Sequence, residues 1–147
     1  MVTILAVLAA VYPILPSNNE AFSELGVLGP GQKIGGYPTT ATVGQAFDLY
    51  VYVGNHEGGA EYYQVLVKEG NQGTVVSNST AANLPAVLTS SLVLGDNSSS
   101  VFPVSPLMYT AGNNQRLIFE LWMFNSTTGS FAYTGLYNQI WMNVSSG

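Results

Sequence analysis

The sequence contains no cysteine. A disulfide scaffold, a thiol nucleophile and a cysteine-based metal site are therefore excluded. Basic residues are nearly absent too: Lys33, Lys68 and Arg116 are the whole complement. Nucleic acid and anionic membrane surfaces are held by lysine and arginine in number, so both are excluded as partners. Histidine occurs once, as His56, and one histidine with scattered carboxylates makes a poor metal site. Charged residues make up 7% of the chain, against roughly 25% in an average soluble domain. None falls in residues 1–19, 97–115 or 121–147. Mixed surface charge is the usual route to solubility. Neutral polar groups, attached sugars or burial in an assembly must replace it here. No segment shows a long capped period of 3.6 residues, which argues against helices.

What is present is enough chain for one domain: 147 residues bury about two-thirds of their unfolded surface without a staple. Residues 1–15 read MVTILAVLAAVYPIL, with Thr3 the one plainly polar side chain. Four readings compete. A secretory signal has such an apolar run but normally a basic stretch before it, and none is present. A transmembrane helix needs about 20 apolar residues, and Pro13 and Pro16 close this run early. A first core strand of the same domain is the plain alternative. The fourth reading is a strand supplied to another subunit. Leu5, Val7 and Val11 lie on one face of an extended chain, and Val2, Ile4 and Leu8 on the other. A strand apolar on both faces must be covered on both. Pro13, Pro16 and Ser17-Asn18-Asn19 then form a hinge. Fifteen extended residues span up to about 50 Å. Burying five of these side chains contributes on the order of 10 kcal/mol before ordering entropy is subtracted. We favour strand donation, with residues 1–15 as tail, 16–20 as hinge and 21–147 as head.

From residue 20 the period is two. Phe47, Leu49, Val51 and Val53 alternate with Asp48, Tyr50 and Tyr52, and Tyr63, Val65 and Val67 alternate with Gln64, Leu66 and Lys68. Residues 86–94, 115–124 and 131–144 are further strand candidates, rich in β-branched and aromatic side chains. Glycine- and asparagine-rich turns separate them, at 29–31, 35–36, 58–59, 70–73, 95–97, 112–114 and 128–129. About seven short strands of this kind predict an all-β fold, an antiparallel, immunoglobulin-like β-sandwich. Ser98-Ser99-Ser100 is expected to be a short polar loop.

The order of motifs also resembles a known family. Phe22-Ser23-Glu24-Leu25, Gly29-Pro30-Gly31, Gly36-Tyr37-Pro38-Thr39 and Thr42-Val43-Gly44-Gln45 come first. Val53-Gly54-Asn55-His56-Glu57-Gly58, Tyr63-Gln64-Val65-Leu66-Val67 and Ile140-Trp141-Met142-Asn143-Val144 follow. This order resembles the extracellular β-sandwich domain of archaeal membrane proteins of uncharacterised function. Those proteins place transmembrane helices before the domain, where this chain has its apolar tail. An apolar tail, a sandwich head and several sequons together resemble the subunits of archaeal surface filaments called threads. The resemblance implies joining by donor-strand complementation.

Four Asn-X-Ser/Thr sequons begin at Asn78, Asn97, Asn125 and Asn143. The first three fall in expected loops, and Asn143 beside a strand end. Covalent N-glycans are expected, and no cofactor. Asn55-His56-Glu57-Gly58 could be an acid–base pair or a metal site, but neighbouring strand residues face opposite ways. A tight turn using Gly58-Gly59 explains it. A Ser-His-Asp arrangement with Asp48 or Asp96 lacks its Gly-X-Ser-X-Gly elbow. Glu24 and Glu120 read as surface or paired carboxylates rather than a glycosidase pair. Lys33 and Lys68 are candidates for covalent cross-links to asparagine or aspartate. Trp122 and Trp141 read as core. Exposed, they would favour the alternative, a secreted or surface carbohydrate-binding or adhesion module.

The expectation is a non-enzymatic filament subunit, with identical subunits as head-to-tail partners and surfaces or other cells as further ones. The numbered chain is expected to be the mature, extracellular product of a signal-bearing precursor. Enzymatic removal of N-glycans from the secreted protein should lower its intact mass by at least two glycans, drawn from Asn78, Asn97 and Asn125. An unchanged mass would count against sugar-borne solubility.

Overall fold

A computed structural model describes residues 20–147. The described residues contain no helix and form eight strands. These are β1 (Phe22–Leu28), β2 (Thr40–Thr42), β3 (Leu49–His56), β4 (Glu61–Gly70), β5 (Leu88–Leu94), β6 (Ser98–Val104), β7 (Gly112–Asn125) and β8 (Ser130–Ser145). They build a three-stranded sheet, β1-β3-β6, packed on a five-stranded sheet, β2-β8-β7-β4-β5. The result is an immunoglobulin-like β-sandwich.

The period of two puts the alternation where the core needs it. Leu49, Val51 and Val53 of β3 and Tyr63, Val65 and Val67 of β4 are fully buried between the sheets. Leu25 and Val27 of β1, Leu117, Phe119 and Leu121 of β7, and Ile140, Met142 and Val144 of β8 complete the layer. The strand expected over 47–53 begins at Leu49 and runs on through His56, so Asn55 and His56 are strand residues and the turn follows them. Gly58 carries the positive φ, +98°, that this turn requires. Three expectations are corrected. Ser98-Ser99-Ser100 opens β6, because these residues pair with Val53, Gly54 and Asn55 of β3. One pairing is parallel: β2 runs alongside the end of β8, Thr40 opposite Asn143. Neither tryptophan belongs to the core between the sheets.

β7 breaks the alternation: every residue from Gln115 to Leu121 is buried. A strand buried without alternation is covered on both faces. One face meets the core. Over the other lies the long connection between β4 and β5, residues 71–87, which we call the strap. Its anchors are polar. Glu120 is fully buried and lies 2.8 Å from the Lys68 ammonium. The Glu120 carboxylate accepts the Ala82 N–H at 2.7 Å, and Lys68 donates to the Ala82 carbonyl at 2.7 Å. Trp122 Nε1 donates to the same carboxylate at 3.0 Å. Arg116 donates to the carbonyls of Asn71 and Thr74, and the Tyr133 hydroxyl to that of Ser77. At Gly135, φ +89°, a Cβ would stand 2.5 Å from the Asn78 carbonyl oxygen, so glycine lets the strap approach β8.

Lys68, one of the two candidates for a covalent cross-link, has an ionic partner in Glu120. Lys33 is exposed in the β1–β2 loop. Removing one partner of a buried pair leaves an uncompensated charge and costs about 3–5 kcal/mol. Glu120→Ala should lower unfolding free energy by that order in chemical denaturation. Lys68→Met combined with Glu120→Leu should recover part of it, leaving the Ala82 N–H without its acceptor.

Candidate functional site

The residues expected to form a donor strand, Val2, Ile4, Leu5, Val7, Leu8 and Val11, and those expected to form a hinge, Pro13 and Pro16, lie outside the described residues. What the described residues define is the surface that a strand would meet, namely the sheet edges. A free edge presents unpaired N–H and C=O groups and is a template for another strand.

The edges differ. β6 carries Pro103, which has no N–H to give to a ladder. Along β1, the carbonyl of Leu25 accepts from Asn138 Nδ2 at 3.0 Å, and that of Val27 from the Tyr37 hydroxyl at 2.6 Å. β5 has seven residues with neither proline nor charge, and its Val93 is 67% exposed. β2 has three residues and pairs only with Asn143–Ser145 of β8. The preceding stretch of β8 thus has β7 on one side and no described strand on the other. Beside that stretch is an open groove of about 440 Å³, lined by Val27, Ile34, Tyr37, Pro38, Ile140 and Trp141 among others. Trp141, expected in the core, is 41% exposed here. The alternation decides this: Ile140 and Met142 take the inward positions of β8, so Trp141 faces out. One face of its ring is stacked by Arg116, 4.8 Å from the centroid. Trp122 is half-buried on the same outer face, beside Tyr133.

A second aromatic group lies at the other end of that face. Phe131 packs edge to face on both Tyr62 and Phe124, with centroids 4.9 and 5.4 Å apart. Tyr62 and Phe124 are tilted at 5.9 Å, and Tyr62 is 41% exposed.

At the end of the three-stranded sheet, His56 Nε2 lies 3.1 Å from Glu24 Oε1 and its Nδ1 lies 3.0 Å from Asn97 Oδ1. The Tyr52 hydroxyl also donates to Glu24, at 2.8 Å. Burial first, then that hydrogen bond, push the Tyr52 hydroxyl up to about 12. Glu57 turns the other way and accepts from Ser23. Glu24 and Glu120 are thus both paired carboxylates. Among the described residues, no group of three or more metal-ligating side chains could hold an ion. Asp48 accepts from Ser105, and Asp96 from the Gly58 N–H; neither meets His56 through a hydrogen bond.

All four sequon asparagines are exposed. Asn78 sits in the strap, Asn97 in a turn at φ +59°, and Asn125 at the end of β7. Asn143 lies inside β8, where its Oδ1 accepts the Asn114 N–H at 3.0 Å. The His56–Asn97 contact was invisible in the sequence, because 41 residues separate the partners.

Residues 16–144 match the family described as a domain of unknown function (DUF1616). The chain belongs to this family. No curated protein matches it. Among solved structures, this DUF1616 domain is similar to the CARDB domain of the PF1109 protein from Pyrococcus furiosus, a complex with di-metal ions. The identity is 13% and the TM-score 0.50, over 84% of this chain and 88% of that one. It is also similar to part of a beta-glucosidase from Listeria innocua in complex with glucose, at 11% identity and TM-score 0.45. There it spans 85% of its own length and 16% of that chain. The CARDB likeness shows the shared fold alone. No helix among the described residues is long and apolar enough to cross a membrane.

His56 faces an oxygen acceptor on each ring nitrogen, so the doubly protonated ring satisfies both. The Asn97 contact, and then the Glu24 contact, raise its value above the ordinary 6.5. A group raised in the fold stabilises most fully below its unfolded value, and that contribution is lost as pH rises through the folded one. As the single histidine, His56 should titrate above 6.5 by NMR. Asn97→Ala should lower that midpoint, and His56→Ala should remove the corresponding loss of stability as pH rises above the ordinary histidine value.

Proposed function

We propose that this chain is a non-enzymatic structural subunit of an extracellular filament, joined head to tail by donation of its N-terminal strand. The observation that carries the reading is a mismatch. Residues 20–147 form a two-sheet core by themselves, with uncovered strand edges, while the preceding residues 1–15 are apolar on both faces and uncharged. Such a segment has to be buried, and an uncovered edge accepts a strand through main-chain hydrogen bonds. A head-to-tail contact does not close on itself and generates a fibre. N-glycans at the exposed sequon loops supply the hydration that charge does not. With few groups to titrate, the fibre tolerates acid.

One observation favours a second reading. Trp141 is 41% exposed, as a carbohydrate-binding or adhesion module requires. That module would bind sugar saturably as a monomer.

Electron microscopy of the purified full-length protein should show filaments, and deletion of residues 1–12 should abolish them and leave a less stable head. A full-length chain that stays monomeric and binds oligosaccharide saturably would support the second reading instead.

A further inference from the structure

Resting on the strand-donation reading, the geometry points to the groove between β1 and the unpaired stretch of β8 as the acceptor for residues 1–13 of a second copy. The groove offers both things that a donated strand needs. One is main chain. β8 has sixteen residues, and its outer neighbour β2 occupies only the last three paired positions. The stretch around Asn138–Trp141 therefore has peptide groups on the groove side with no described strand to take them. The other is apolar cover on two sides. Val27 and Ile140, both almost fully buried, form the floor at the rim of the core. Ile34, 65% exposed, and Trp141 stand at the opening. A strand apolar on one face only would meet one of these two sets with polar side chains. The tail carries Leu5, Val7 and Val11 on one face and Val2, Ile4 and Leu8 on the other, which answers both.

Charge agrees. None of the side chains that line the groove is charged, and residues 1–19 carry no charge to desolvate. Length agrees as well. Thirteen extended residues reach about 43 Å, more than the groove stretch of β8 needs, and the remainder bridges the gap between heads. The other edges fit less well. Pro103 interrupts β6, and neither of the two grooves seen among the described residues is lined by β5. Asn138 and Tyr37, which bond to two β1 carbonyls at the groove, act as gate posts on that side. The incoming strand pairs with β8 and leaves them in place.

The absence of cysteine gives a clean test on the full-length chain. Ile34→Cys is combined in turn with Ile4→Cys, Leu5→Cys, Val7→Cys or Leu8→Cys, and filaments are oxidised and run on a non-reducing gel. At least one pair should give a ladder of disulfide-linked multimers. A cross-linked monomer band would overturn the proposal, because the chain's own tail would then fill the groove. Filaments whose ladder appears only when Val93→Cys replaces Ile34→Cys would overturn it too, placing the strand on β5. A second variant, Ile34→Asp, changes an exposed side chain and should leave the melting temperature of the head unchanged. It should raise the monomer fraction at least tenfold, and filaments as abundant as those of the unaltered protein would overturn the groove assignment. A full-length chain that never polymerises overturns the strand-donation reading itself, as the cross-linked monomer does, whereas a ladder through β5 leaves that reading standing and overturns the groove alone.

Discussion

The Lys68–Glu120 ion pair is the contact through which the five-stranded sheet acquires two covered faces. A carboxylate with no exposure survives only if its charge and its lone pairs are all answered. Here an ammonium, an indole N–H and a backbone N–H answer them. The pair grips the two peptide groups of Ala82 from opposite sides, one through the N–H and one through the carbonyl. That grip holds the strap against β4 and β7. With the strap in place, Ile118 is as deeply buried as the core residues Leu117 and Phe119. Much of the chain's small stock of charge is spent at this one face: two of its three cations, Lys68 and Arg116, tie the strap down.

Two sheets of unequal width then share one core. β1 of the three-stranded sheet lies against β8 and β7, and β6 lies near β5. β2 is too short to finish the far side of β8. The same shortage leaves a strand edge and an apolar groove side by side. Protection is uneven elsewhere in the way expected of edges that must not aggregate at random. Proline blunts β6, side chains occupy β1, and the unprotected stretches are those of β5 and β8. Low charge, which would harm a free monomer, follows from this arrangement if one apolar segment is covered by a neighbour and exposed loops carry sugar.

The sandwich fold was legible in the residues, and motifs such as Gly36-Tyr37-Pro38-Thr39 and Asn55-His56-Glu57-Gly58 carried a resemblance to a domain of uncharacterised function, in line with the DUF1616 match over residues 16–144. β3, β4, β7 and β8 were readable because one apolar face per strand leaves a period of two. β6 was misread at its start, because three serines look like a turn and only pairing with β3 makes them strand. Trp141 was misplaced because an aromatic residue in a strong strand is usually buried. Its position one residue after Ile140 put it on the outside.

By itself the sequence determined the class: all-β from a period of two, three cations, no cysteine, and an apolar, uncharged run over residues 1–15. These follow from composition and local alternation, which act within a few residues of each other. Tertiary structure alone decided which edge has no neighbour among the described residues, that Glu120 lies under a strap rather than at the surface, and that His56 meets Glu24 and Asn97. Each of those depends on partners 30 or more residues apart in the chain, and no local pattern encodes which of two sheets will be the narrower.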